Sequence, residues 1–555
     1  MSPRVAWGVL ALGVAVVAEI LLAHHYAITN PDAFDAGQLA VLSAGIVATL
    51  VGGILVWRTW QGLPSEEEVG RLGRRWTPFI VAFVVYLVAF LVMAPIPVGD
   101  QPHFQLEALS LAYDLDRDLD NDYRERVFQV FPRGAGDRHA AQYTPGGPFV
   151  SYHSVGLPLL LAPGVVGVQA MNQINPRLRL WPWQLTMIAM ASLAALLLYR
   201  ILGRLGLGTR PLRIAIWAAV VFSAPMVVFA SQTYTEIPAA LLVLIAVHAL
   251  LRTPTRSAIL VGACAMAYLP WLNARFFPVA LLLCVALAAR AIMALPVAAR
   301  DRATSVKAAA PALVPLLLSF VALSIMFWHW YGSPLLNAQY KYPGHPDSGT
   351  KEAYRAWAGN VWSARSGWLP YAPTALLALG SLALSWRRFG RPALVALVIA
   401  GSYVALVVVV GGNAGFAFPG RLFVILMPLT AIPLLVLAER SRVGRSAVLA
   451  LGALSLMITA AFVLEPPPSV TSTPGQLVGY TPNKLWQWYA DLWPQVEVSA
   501  RYPDLAAICA LTGALFVLNG VLYRYAGRAR GPRRPARRGR SKAHARSAAP
   551  ARSGP

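Results

Sequence analysis

Long apolar runs recur from one end of the chain to the other, separated by short polar intervals. They fall at about 4–23, 38–57, 77–95, 182–199, 213–231, 236–251, 257–271, 275–291, 310–330, 368–385, 393–410, 421–438, 446–464 and 504–523. Most approach the ~20 residues that a helix needs to cross a hydrocarbon core about 30 Å thick. Backbone groups in lipid must be bonded within the protein, so such runs predict helices. A transmembrane barrel would need alternating short segments, which this pattern lacks. The reading is an all-α polytopic membrane protein, a bundle of about 14 transmembrane helices. A further apolar piece, 156–170, is short and interrupted by Pro158 and Pro163, and is read as a non-spanning helix at the outer face.

Charge sharpens the picture. With the N-terminus inside, the inner gaps hold Arg58, Arg71, Arg74 and Arg75; Arg200, Arg204, Arg210 and Arg213; Arg252 and Arg256; Arg290, Arg300, Arg302 and Lys307; Arg387, Arg388 and Arg391; and Arg440, Arg442 and Arg445. Every inner gap is basic, as the positive-inside rule requires. Counting 156–170 as a span would break the agreement. The expected site is therefore a multi-pass protein of the cell membrane with both termini cytoplasmic. The outer intervals are 24–37, 96–181, 232–235, 272–274, 331–367, 411–420 and 465–503. The first long one, 96–181, contrasts with the inner gaps: stretch 96–155 carries nine acidic residues against five Arg.

Composition agrees. Of 555 residues 57% are hydrophobic and only 13% charged, against about 25% charged in soluble domains. The net charge of +23 is concentrated, because residues 524–555 hold 11 Lys/Arg and no acid. That tail reads as a disordered cytoplasmic segment that touches anionic headgroups of the lipid bilayer. Nucleic acid is not an expected partner, since neither interleaved aromatics nor a folded platform accompanies the basic run. Cys264, Cys284 and Cys509 have no metal-ligand spacing and imply no disulfide framework.

Candidate chemistry clusters at the start of the first large outer interval, in Gly99-Asp100-Gln101-Pro102-His103-Phe104. An acid held where a membrane helix meets water is costly and marks a functional candidate. Asp100 is the expected catalytic base, with His103 a second titratable group one helical turn on. The bland alternative for Asp100 is a helix-end carboxylate that solvates the interface. Glu236 is either a second catalytic acid or a helix-start carboxylate favoured by the dipole. Arg421 breaks the basic-inside trend and is either a phosphate clamp or an interfacial cation. His153 either orients a substrate or is a satisfied loop histidine. The acids Asp114, Asp116, Asp118, Asp120, Asp122 and Glu125 stand at positions 1, 3, 5, 7, 9 and 12 of a Ca²⁺-loop pattern. Leu119, however, occupies the position that needs Gly. The metal expectation is none, with Asp114, Asp116, Asp118 and Glu125 as weak candidates; no cofactor motif occurs, and a divalent cation stays compatible. Nucleotide-binding loops, His-Glu-x-x-His and Gly-x-Ser-x-Gly are absent from the sequence.

A span followed by the Gly99–Phe104 motif, the acidic segment 111–123 and Ser151-Tyr-His-Ser-Val-Gly-Leu-Pro-Leu-Leu-Leu-Ala-Pro163 resembles the GT-C glycosyltransferase superfamily. The nearer likeness is to its bacterial branch akin to dolichyl-phosphate-mannose mannosyltransferases, whose motif usually reads Gly-Asp-Glu-Pro-His-Tyr. Asp100, Pro102 and His103 match, whereas Gln101 and Phe104 depart, and Gln101 leaves one carboxylate where relatives have two. The segments Gln232–Pro238, Leu269–Phe276, Gly367–Pro373 and Phe418–Phe423 also resemble that branch.

The resemblance implies a GT-C-like bundle with a large first catalytic outer loop. Residues 1–76 would add two N-terminal helices. Residues 77–440 would be the catalytic core, with outer loops 96–181, 331–367 and 411–420; 441–523 would add C-terminal helices with outer loop 465–503, and 524–555 the tail. It implies sugar transfer, mannose or arabinose, from a polyprenyl-phosphate donor to a glycan, lipid or protein acceptor hydroxyl on the outer face, with inversion. Asp100, Glu236 and His103 would be catalytic, and Arg421, His153, Arg275, Gln101 and Tyr371 would bind substrate. Tyr113, Trp362 or Trp368 would stack on the sugar. The competing expectations are a lipid-linked sugar flippase or transporter, and a non-catalytic envelope protein.

Overall fold

A computed structural model describes residues 66–97, 99–131, 138–336, 338–340, 359–363, 367–389, 400–404, 407, 420–464, 493 and 502–528. The expected spans 4–23 and 38–57, most of 393–410, the greater parts of loops 331–367, 411–420 and 465–503, and the tail beyond 528 lie outside them.

The described chain is almost wholly helical. It runs α1 (Glu66–Met93), α2 (Gln101–Tyr113), α3 (Leu119–Glu125), α4 (Val127–Val130), strands β1 (Ala140–Gln142) and β2 (Phe149–Ser151), α5 (Gly156–Leu161), α6 (Val165–Ile174), α7 (Trp181–Arg204), α8 (Arg210–Val221) and α9 (Ala224–Phe229). There follow α10 (Glu236–Leu250), α11 (Arg256–Leu272), α12 (Phe277–Met293), α13 (Arg302–Tyr331), α14 (Thr374–Gly380), α15 (Leu382–Phe389), α16 (Ala431–Arg440), α17 (Arg442–Leu464) and α18 (Tyr502–Arg528).

Among the described residues six helical stretches are long and apolar enough to cross a membrane: Trp76–Met93, Gly156–Ile174, Pro176–Arg204, Ala274–Met293, Arg302–Tyr331 and Arg442–Leu464. Glu236–Leu250, Arg256–Leu272 and Cys509–Leu522 are shorter apolar helices. Val285, Leu317, Leu318, Ile325 and Met457 are exposed on these helices, and apolar faces left bare by protein suit a lipid bilayer.

Several expected spans are interrupted. Stretch 213–231 breaks between α8 and α9, where the Ser223 hydroxyl turns back to donate to the Ala219 carbonyl and Pro225 lacks an N–H to continue the ladder. Stretch 368–385 breaks at Ser381, and 421–438 opens as two 3₁₀ turns, Arg421–Phe423 and Met427–Thr430, before α16. The piece 156–170, expected not to span, falls in Gly156–Ile174, one of those six, but a 3₁₀ turn at Ala162–Gly164, holding Pro163, divides it into α5 and α6.

The interval 96–181 is a folded unit rather than an open loop. Helix α2 is buried from Gln101 to Ser110 and packs on α5. Helix α5 in turn meets α11 through Gly156, where a Cβ would lie 2.5 Å from the Trp271 backbone, and the Tyr268 hydroxyl donates to the Gly156 carbonyl at 2.8 Å. The bundle behind it packs α1 and α10 on α7, and α10 and α13 on α11. Because α10 descends and α11 returns, Glu236 and Arg275 meet at one end of the bundle. At the other end Arg204 donates to the His248 carbonyl, with Arg200 and Arg252 close to that histidine.

Candidate active site

The site forms where α1 ends. Gly99 has φ 61°, and a Cβ there would sit 2.9 Å from the Tyr234 hydroxyl, so this turn is built for glycine. Asp100 is the N-cap residue of α2, yet its carboxylate caps no N–H. It pairs instead with Arg421, Oδ2 to Nη2 at 2.8 Å. Arg421 follows Gly420, which takes φ 76°, and that left-handed turn aims the guanidinium inward.

Arg421 also donates from Nε to Glu236 Oε1 at 3.0 Å and lies 4.0 Å above the Tyr234 ring. The same Glu236 oxygen accepts from Arg275 Nη2. Arg275 sits in the 3₁₀ turn after α11, whose start is capped by the Asn273 side chain. Its Nε is buried with no hydrogen-bond partner. Two cations and two anions thus interlock: Glu236 is buried completely, whereas the Asp100 side chain keeps 26% of its surface.

The electrostatics follow from that difference. Burial works against charge on Asp100, but Arg421, with His153 and His139 beside it, holds its carboxyl well below the usual carboxylate range. Arg421 sits between the carboxylates of Glu236 and Asp100, which balance its charge. An ionised Asp100 in this clasp is in the right state to accept a proton but is weakly basic while Arg421 holds it.

Histidines line the next layer. His103 is buried; its Nδ1 meets the Tyr123 hydroxyl at 2.7 Å and its ring stacks on His139 with centroids 3.5 Å apart. Burial, reinforced by His139 and His153, lowers the pKa of His103 well below its ordinary value, and burial pushes His153 down to about 3 against the pull of Asp100. His103 is therefore a neutral packing partner held behind Asp100 rather than a group facing solvent. His139 was not singled out by the sequence, since nothing around it marks a motif. It enters because the β1–β2 hairpin pairs Ala140 with Ser151, which brings residue 139 beside residues 152 and 153. His139 Nδ1 and His153 Nε2 then lie 2.9 Å apart.

The remaining expected residues have other employment. Gln101 is buried and accepts from the Thr233 N–H at 3.0 Å, with Gln105 donating to the Thr233 hydroxyl; both tie α2 to the segment before α10. Tyr371 packs in the core against Phe462. Trp362 is fully buried and Trp368 stacks on Phe423 at 4.9 Å, so neither indole forms an open sugar platform. Tyr113 is partly exposed but lies under Arg126.

The acidic run is a salt-bridged turn. Arg126 binds both oxygens of Asp114 and reaches Asp122. Asp116 accepts from Ser110 and the Asp118 N–H, and Asp118 accepts from the N–H groups of Asp120 and Phe149. Among the described residues the metal-capable group of three or more lies elsewhere, at Asp100, His139 and His153. Sequence reasoning also missed Glu107 and Arg117, a buried pair between the acidic turn and the hairpin.

Compared with family models, curated proteins and solved structures, the chain gives no match.

Proposed function

We propose that this protein is a membrane glycosyltransferase that moves a sugar from a polyprenyl-phosphate donor to an acceptor hydroxyl. The carrying observation is the interlocked Asp100–Arg421–Glu236–Arg275 cluster, with one carboxylate still open to solvent. The donor presents an anion at a lipid surface, and two guanidiniums at the end of an apolar bundle suit it. In this reading the donor phosphate binds Arg421 and the unpartnered Nε of Arg275, displacing Asp100 from Arg421. Glu236 stays behind and holds both guanidiniums in place.

Freed from its cation, Asp100 becomes a stronger base beside the acceptor. It takes the hydroxyl proton as the acceptor oxygen bonds to the anomeric carbon. The bond from that carbon to the phosphate oxygen breaks, and the lipid phosphate leaves with the electron pair, stabilised by the two arginines. Attack opposite the leaving group inverts the anomeric centre. The full chain is read as a GT-C-like bundle of about 14 spans, with this cluster at the outer face and the Arg200–Arg204–Arg252 end in the cytoplasm.

The test is sugar transfer from a panel of polyprenyl-phosphate mannose and arabinose donors, in membranes holding wild type or Asp100→Asn. Donor consumption by wild type and its loss in the variant, with donor binding retained, is the expected result. Equal consumption makes Asp100 structural. Movement of lipid-linked sugar between leaflets without transfer replaces the enzyme reading with a transporter.

A further inference from the structure

We infer that Asp100, His139 and His153 form a zinc site. Their ligand atoms all lie within 4.8 Å of one another, and a tetrahedral zinc with bonds of 2.0–2.2 Å separates its ligands by about 3.3 Å. His139 Nδ1 and His153 Nε2 share a hydrogen bond at 2.9 Å, which zinc would replace after an opening of roughly a few tenths of an ångström. Arg421 takes one oxygen of Asp100, which leaves the other for a cation. Two imidazoles and one carboxylate suit zinc better than calcium or magnesium, which prefer all-oxygen shells. Three protein ligands leave a fourth position open.

The scaffold around the three ligands is set in advance. Both histidines flank the hairpin, and its last pair is extended by the bond from the Tyr152 N–H to the His139 carbonyl at 3.3 Å. The His139 N–H donates to the Tyr123 hydroxyl at 2.9 Å. The His153 backbone is held on both sides, its N–H by Ser151 Oγ and its carbonyl by Arg117, each at 3.0 Å. These bonds fix the backbone that carries both rings.

The site does not depend on the transfer reading, but its consequence does. A zinc held there by one Asp100 oxygen would acidify an acceptor hydroxyl at its open position, and the Asp100 oxygen released by Arg421 would take the proton.

The experiment loads the full-length chain, purified in detergent and stripped with chelator, with Zn²⁺ or Co²⁺ salts. Elemental analysis should find one zinc per chain, and cobalt should give the intense visible absorption of a four-coordinate ion. His139→Gln, His153→Gln and Asp100→Asn should each weaken uptake at least tenfold while eluting as wild type does. Asp100→Asn leaves the hairpin untouched, so it separates ligand loss from misfolding. His248→Gln, at the other end of the bundle, should bind as wild type. No cobalt uptake by wild type overturns the site, as does unchanged uptake in the His139→Gln/His153→Gln double variant. No sugar is present, so the outcome is independent of the transfer assay.

Discussion

Arg117 and Arg421 are both buried arginines clasped by acids, and they differ in what remains available to a ligand. Arg117 pairs with Glu107, donates to the Tyr331 hydroxyl at 3.1 Å and to the His153 carbonyl at 3.0 Å, and lies 4.3 Å from the Trp330 ring. Its side chain and that of Glu107 are 1% and 0% exposed. Its partners pin α2, the hairpin exit and the end of α13. Arg421 has equally strong partners, but Asp100 reaches solvent and Arg275 keeps an idle donor. A buried ion pair is by itself weak evidence of function; a carboxylate that reaches solvent and a spare donor are what distinguish the second clasp from the first.

The contrast breaks most visibly at Arg117. Arg117→Ala leaves Glu107 charged and unpaired in the interior, at a cost of about 3–5 kcal/mol. A large fall in the melting temperature of the detergent-purified protein is the expected result. Glu107→Met combined with Arg117→Leu should recover most of it, because two apolar residues leave no orphan charge. Should Arg117→Ala melt with wild type, the structural half of the comparison fails. Asp100→Asn should act the other way, lowering transfer about 10²- to 10⁴-fold, the usual worth of a general base, with the melting temperature little changed. A variant that loses stability and keeps turnover would reverse the two roles.

Arg421→Lys refines the functional half. Lysine keeps the charge but has no planar fork to hold Glu236 and a phosphate together. The donor KM should rise about tenfold, equivalent to about 1.4 kcal/mol, with a smaller change in kcat. Titrating donor at saturating acceptor separates the two, and an unchanged KM would remove Arg421 from donor binding.

The sequence carried the class of the fold and singled out Asp100, Glu236, Arg275 and Arg421 one by one, but not the contacts between them. Helical runs and their membrane length follow from local composition, so they are legible without a structure. The break at Pro163 is legible from its proline, whereas a window of hydropathy averages across those at Ser223 and Ser381. Asp100 stands out as an acid at a membrane edge, and Arg421 because it breaks the basic-inside trend. The pairing of Arg421 with Glu236, 185 residues apart, has no local signature, and neither does His139, which gains meaning only when the hairpin sets it against His153. Gln101 shows another limit: its place in a motif suggests substrate binding, and only the structure places its side chain on the Thr233 N–H.

The smallest effect belongs to the acidic turn, which resembles a site by composition and a clasp by geometry. Hydrogen bonds from Arg126 lower the pKa of the Asp114 carboxyl below its ordinary value. A carboxylate lowered on folding adds stability above its unfolded value near 3.9 and loses it as pH falls through the lower folded value. The pair is partly open to water, at 17% and 23% exposure, so Asp114→Asn should cost only about 0.5–1 kcal/mol at pH 7. The gap between variant and wild-type melting temperatures should narrow steadily below about pH 4 as the wild-type carboxyl protonates. A gap that persists at the lowest pH would mean that Asp114 acts through packing instead. A melting temperature of wild type that rises on adding Ca²⁺, and is lost in Asp114→Asn, would restore the acidic turn as a cation site and erase its contrast with the histidine-lined mouth.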